Sequence, residues 1–241
     1  MKIRVVDFET SDMVGKGRPV ELCEVGYTDL VGGNVLLDTF ASFVNPGIPI
    51  TPEARGVHHI TDREAASGMP PDDARDLLMG GMEPGDMFAA HNAAFERALF
   101  PGDPYPWICT MQCAKHLWEE EAPGFSNQTL RYWLDLDKEF SDPALAMPPH
   151  RAGPDTFVTA HILRRLLVGR SPETLVDLTA KPVLLKICTI GDAKGLPWSQ
   201  VDRGLLEWCL KPGRNLSPEI LATARHWLDE LNRPADRNFL L

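Results

Sequence analysis

Residues 1–12 read MKIRVVDFETSD. Ile3, Val5 and Val6 are β-branched and favour extended backbone, so positions 3 to 8 read as a short strand buried on both faces. Side chains two apart in a strand point to the same side, so Asp7 and Glu9 aim at one spot. Two carboxylates about 4 Å apart repel by about 4 kcal/mol at an effective dielectric of 20, and a strand ending this way calls for positive charge between them. Asp-x-Glu occurs three times in the chain, but Asp62/Glu64 and Asp137/Glu139 lie among polar residues and read as solvated loop or helix surface.

Working outward, VELCEVGYTDL (20–30) and NVLLDTFASFV (34–44) read as strands joined by the turn VGGN. PPDDARDLLMGGM (70–82) opens on prolines and acids, closes on glycine and reads as a helix. DMFAAH (86–91) is a fourth strand, NAAFERALF (92–100) a helix and WICT (107–110) a fifth strand. Helices follow at MQCAKHLW (111–118), SNQTLRYWL (126–134) and GPDTFVTAHILRRLLVG (153–169). Three strands followed by alternating helix and strand predict an α/β or α+β domain built on a mixed sheet. Near residue 170 the pattern changes. SPETLVDLTAKP (171–182) reads as a capped helix, an apolar stretch occupies 183–198, and helices follow around GLLEWCL (204–210) and after Ser217. The expected organisation is one domain over 1–170 and a small C-terminal unit over 171–241.

The whole chain of 241 residues is 44% hydrophobic, ample for a core. No run approaches the ~18 apolar residues of a membrane helix, and the N-terminus reads as strand instead of signal, so the expectation is a cytoplasmic protein with no membrane partner. Five cysteines without a C-x-x-C fit a reducing compartment. Cys109, Cys113 and His116 have the look of half a zinc site, but no second half stands at ligand spacing, so they read as core. The net charge of −10 argues against a general basic nucleic-acid surface and leaves open a nucleic-acid enzyme whose acids hold cations.

Two further stretches carry candidate chemistry. In AHNAAFERALF (90–100) a strand meets a helix, with His91 and Asn92 at the junction and Glu96 one helical turn inside. Taken alone, Glu96 reads as an exposed face opposite Phe95, Leu99 and Phe100. In PPHRAGPDTFVTAHILRRLL (148–167), His150 follows two prolines on a loop and Asp155 lies in the first helical turn, where an acid also complements the helix dipole.

The order of these elements, a strand-terminal D-x-E, then H-N-A-x-F-acid at a strand-to-helix junction, then H-x-x-x-x-D opening a late helix, resembles the three motifs of the DEDDh exonucleases over about residues 1 to 170. ARGVHHIT (54–61), WICTMQCAKHLW, SNQTL and a tail with IGDAKGLPW before LLEWCL are similar to the exonuclease X branch of that family. Asp192-Ala193-Lys194 departs from the more basic glycine turn of such tails.

The resemblance implies a ribonuclease H-like α/β fold, a mixed five-stranded sheet flanked by helices. It implies two Mg²⁺ or Mn²⁺ ions held by Asp7, Glu9, Glu96 and Asp155, and His150 taking the proton from the attacking water. It implies substrate contacts from Thr10, Met13, His91 and Asn92 at a nucleic-acid 3′ end, DNA before RNA, with a 5′-mononucleotide as product. Glu96 stands where the family has Asp, so its carboxylate reaches about one bond, ~1.5 Å, farther and has one more torsion to immobilise. An exoribonuclease of the same superfamily and a catalytically weakened nucleic-acid binder remain alternatives. A haloacid-dehalogenase phosphatase also carries an acid pair after a strand, but has no use for H-R-A-G-P-D.

Overall fold

The computed structural model describes residues 1–13, 17–36 and 38–233. The chain divides into two compact units, Met1–Thr179 and Ala180–Leu241.

The larger unit is built on a mixed sheet. Its strands are β1 (Lys2–Thr10), β2 (Leu22–Val31), β3 (Val35–Leu36), β4 (Phe40–Phe43), β5 (Met87–Ala90) and β6 (Trp107–Cys109). β1 lies inside the sheet, antiparallel to β2 on one side and parallel to β5 on the other, with β6 parallel beyond β5. β3 and β4 both pair antiparallel with β2, so together they fill one strand position and give the five-position sheet expected. The predicted strand 34–44 runs through Leu37, which lies outside the described residues.

The helices are α1 (Pro52–His58), α2 (Asp62–Ala65), α3 (Pro71–Met79), α4 (Ala94–Leu99), α5 (Thr110–Trp118), α6 (Asn127–Trp133), α7 (Ala152–Leu166) and α8 (Pro172–Ala180). α1 and α2 had no periodic signature. They form because Thr51 caps the first through Ala54 N–H, and Thr61 with Glu64 makes a capping box on the second.

Period-two alternation puts β1 between two cores. Ile3 and Val5 join Cys113 and Ala114 of α5, Leu130 of α6 and Val158 and Ile162 of α7 on one face. Val6 and Phe8 pack with Leu78 of α3, Phe88 and Phe100 on the other. β1 is therefore buried on both faces, as its β-branched run predicts.

The division falls after Thr179, later than the expected boundary near 170. α8 packs with the larger unit: Leu175 is fully buried in the first core, Cys113 Sγ donates to Leu175 O at 3.3 Å, and Thr179 Oγ1 accepts from Cys109 N–H at 2.8 Å. Cys109 and Cys113 are thereby accounted for as core residues, and all five cysteines are buried free thiols.

The smaller unit has its own core of Cys188, Trp198, Val201, Leu206, Cys209 and Ala224 around α9 (Arg203–Cys209) and α10 (Pro218–Asn232). The stretch 183–198 folds back on itself, with Cys188 and Leu196 bonded at 2.8 Å. Among the described residues no helix is long and apolar enough to cross a membrane.

Candidate active site

The sheet face that buries Ile3 and Val5 against α7 continues, two residues at a time, to Asp7 and Glu9. α7 delivers Asp155 to the same place from its first turn, and one carboxylate oxygen from each of Asp7, Glu9 and Asp155 lies within 4.8 Å of the others. Two glycines allow the approach. Gly26, opposite Asp7 in the β1/β2 register, would put a Cβ 2.6 Å from Ala152 C, and a Cβ on Gly153 would stand 3.0 Å from Ala41. The N-terminus of α7 rests directly on the sheet.

Glu96 comes from the first turn of α4, 2% exposed, and its Oε2 has no hydrogen-bond partner among the described residues. α4 turns it inward, not onto the exposed face that its own helix alone suggests, and its charge is felt by Asp7 and Glu9. Burial pushes the Glu96 carboxyl up to about 8. Burial, then the negative charge of Glu9, Asp155 and Glu96, raises Asp7 well above the usual carboxylate range. Glu9 is pushed up to about 8, by burial first and then by Asp155 and Glu24. Burial also raises Asp155, against the stabilising bond from His150 N–H. Four acids that resist ionisation beside one another, one holding an orphaned buried oxygen, fit a hard divalent cation, which takes oxygen ligands.

His150 sits on the loop before α7, exposed, in the left-handed region at φ 59°. Its backbone N–H donates to Asp155 Oδ2 at 2.9 Å, which ties the loop to the carboxylate cluster. Of the four predicted substrate contacts, Met13 and Asn92 are exposed, Asn92 with φ 79°. The side chains of the other two are engaged within the protein. The ring nitrogens of His91 lie 2.9 Å from Thr110 Oγ1 and 2.8 Å from Phe125 O, and burial lowers its pKa to about 4. A neutral ring with both nitrogens engaged anchors the β5–α4 junction. The Thr10 hydroxyl is buried too, donating to Asp12 O at 2.8 Å.

Sequence reasoning missed the groups that hold this geometry. Glu24 stands opposite Glu9 in the β1/β2 register and is buried; it accepts from Arg151 Nε at 3.0 Å and from Ala152 N–H at 2.8 Å. It thus fastens the start of α7 beside His150. Asn127 Nδ2 donates to Asp155 O at 3.2 Å and to Thr159 Oγ1 at 2.9 Å, joining α6 to α7. His58 Nδ1 accepts from Ile60 N–H, so its Nε2–H donates to Thr10 O at 3.2 Å and steadies the end of β1. The available signal was an acid inside the apolar strand LCEV, together with SNQTL and VHHIT, stretches that carry the family resemblance without a role of their own.

Comparison with known proteins places the chain in a family. The RNase T exonuclease family model matches residues 5–163. Exodeoxyribonuclease 10 of Escherichia coli strain K12 is 31% identical over 234 residues, covering 94% of this chain and 99% of that one. A structure of exonuclease X in complex with 5′ overhanging duplex DNA superposes with a TM-score of 0.60 at 28% identity, covering 74% of this chain and 99% of that one. The nuclease domain of 3′hExo, a DEDDh family member bound to rAMP, shares the fold with a TM-score of 0.51 at 18% identity, over 70% of this chain and 92% of that one. With its sheet, its carboxylate cluster and a match spanning both units, the chain belongs to the RNase T exonuclease family, in its DEDDh group.

Proposed function

We propose that the protein is a divalent-metal-dependent 3′→5′ exonuclease that removes 5′-mononucleotides from DNA. The observation that carries this reading is the meeting of Asp7, Glu9 and Asp155 oxygens within 4.8 Å, with the buried, unpartnered Glu96 Oε2 nearby. DNA as substrate is supported by the name of the 31% identical relative and by the DNA in the exonuclease X complex.

Asp7 would serve both of two ions, Glu9 and Asp155 one of them, and Glu96 the other. When bound, Mg²⁺ or Mn²⁺ supplies charge neutralisation and Lewis-acid polarisation at the phosphate. His150 accepts the proton of the attacking water, and its place on an exposed loop lets the imidazole reach the terminal phosphate. The water oxygen bonds to phosphorus, the bond to the preceding 3′-oxygen breaks, and that oxygen leaves protonated on the shortened strand. Glu24 and Arg151 keep His150 and Asp155 in register during this exchange.

The test is digestion of 5′- and 3′-labelled DNA, single-stranded and duplex, and of matching RNA, with Mg²⁺, Mn²⁺ or EDTA. The expected result is a labelled mononucleotide released at once from 3′-labelled DNA, a descending ladder from 5′-labelled DNA and no product in EDTA. Mononucleotide released first from the 5′ label would reverse the polarity. Digestion of RNA alone would move the substrate to the exoribonuclease alternative.

A further inference from the structure

We propose that Trp208, Arg214 and Lys211 on the C-terminal unit form a binding site for a single nucleic-acid strand, a base stacking on the indole while the two cations take neighbouring phosphates. The proposal rests on the exonuclease reading for its ligand and adds a site outside the carboxylate cluster.

The charge of the chain is divided unevenly. Residues 180–241 contain nine Lys and Arg against seven Asp and Glu, a net of +2, so of the chain's 24 and 34 the first 179 residues keep 15 against 27, a net of −12. Two divalent ions would offset four of those negative charges, and the remainder still repels a polyanion at moderate salt. An enzyme of long nucleic acid then gains affinity from a surface of opposite sign that its own chain carries.

Trp208 has the chemistry for that task. It stands at the C-terminal end of α9 and remains 36% exposed, although the core of its unit buries Trp198 completely enough to leave 1%. The Arg214 guanidinium lies over its ring, 4.3 Å from the centroid. A stacked guanidinium keeps its N–H edge available for a phosphate, and no carboxylate of the described residues pairs with Arg214. Lys211 is exposed between them in sequence. Trp208 also lines a shallow cavity of about 330 Å³ with Gly191, Asp192, Gly204 and Leu205, within the size range of small-ligand pockets, roughly 300–1,000 Å³. Two of its walls are glycines, which leaves backbone open to a flat ring, and Gly191 has φ +59°, a conformation that a side chain would strain. Asp192 is the acid on the rim and offers an acceptor to the exocyclic amine of a base.

The experiment uses the full chain in EDTA, where no strand is cut, and measures binding of a fluorescein-labelled 20-mer of mixed C and T. Trp208→Ala should weaken binding roughly 5- to 100-fold, the usual loss of one stacked base, and Trp208→Phe should restore it to within about threefold. Lys211→Ala with Arg214→Ala should lower the slope of log K against log salt by about 1.4, two phosphate contacts on a single strand. Binding of inorganic polyphosphate should fall with the double variant and stay unchanged with Trp208→Ala; an equal fall would show that Trp208 only supports Arg214 and would overturn base stacking. Equal 20-mer binding by all variants would overturn the site itself. Hydrolysis of the p-nitrophenyl ester of thymidine 5′-phosphate with Mn²⁺, a substrate of one nucleotide, should be unaltered in every variant. Failure of the parent protein to cleave both the ester and DNA would refute the exonuclease reading independently of the binding result.

Discussion

Strand β1 carries buried charge at two points, and they are built in opposite ways. At Arg4, 4% exposed, the guanidinium is well partnered: two 2.8 Å bonds to Asp29 across the β1/β2 ladder, two more of 2.8 Å to Leu78 O and Gly80 O, and the ring of Tyr27 4.3 Å away. Three residues on, Asp7 and Glu9 face Asp155 and Glu96, and burial raises the carboxyls of all four. The nearby Arg151 is held by Glu24. A buried charge with its partners in place is a structural element, while buried like charges crowded together mark a candidate site.

The contrast can be broken most severely at Asp7. Asp7→Ala should abolish hydrolysis, yet melt in EDTA at or above the parent temperature, because the substitution relieves repulsion. A variant melting well below the parent would make Asp7 structural. His150→Ala comes next, lowering kcat by roughly 10²- to 10⁴-fold with the Mg²⁺ requirement nearly unchanged. A large rise in that requirement at a near-normal maximal rate would make His150 a ligand.

Arg4→Met tests the opposite end. It should cost about 3–5 kcal/mol of stability, near the lower figure because Lys2 Nζ lies 3.8 Å from the abandoned Asp29, while the folded fraction keeps its specific activity. Denaturant unfolding with active-site titration separates the two readouts.

A smaller effect sharpens the same comparison through pH. The carboxyls of Glu9 and Glu96 lie near 8 when folded and close to 4.3 in the unfolded chain, so the metal-free native state binds more protons between those values. Their contribution to stability is present below about pH 4 and is lost as pH rises through about 8. In EDTA the melting temperature should therefore fall from pH 5 to pH 8, and Glu96→Gln should flatten part of the fall. A parent curve that is flat in EDTA would contradict the crowding of these acids.

The finest effect is at position 96 itself. Mn²⁺ should outperform Mg²⁺, which demands near-ideal octahedral geometry. Glu96→Asp should lower the Mg²⁺ concentration for half-maximal rate by a few-fold, and Glu96→Gln should raise it. Equal requirements in all three proteins would remove Glu96 from the metal site.

The sequence by itself determined the strands, the long helices and the acids that converge. Alternation along IRVVDFE places Asp7 and Glu9 on one face whatever the rest of the chain does, and α7 announces itself by Gly153-Pro154 and a long apolar repeat. Family likeness then ordered the motifs. Tertiary structure alone decided which polar groups are occupied. His91 belongs to the motif by sequence, but Thr110 and Phe125, brought from other segments, take both its nitrogens. Glu24 reads as one acid in a strand, until the register sets it beside Glu9 and α7 brings Arg151 to meet it. Glu96 reads as helix surface, until α4 packs against the sheet and buries it. Periodicity is a local property of the backbone and survives in the string of residues. Hydrogen-bond partners and desolvation come from segments far apart in the chain and exist only once it has folded.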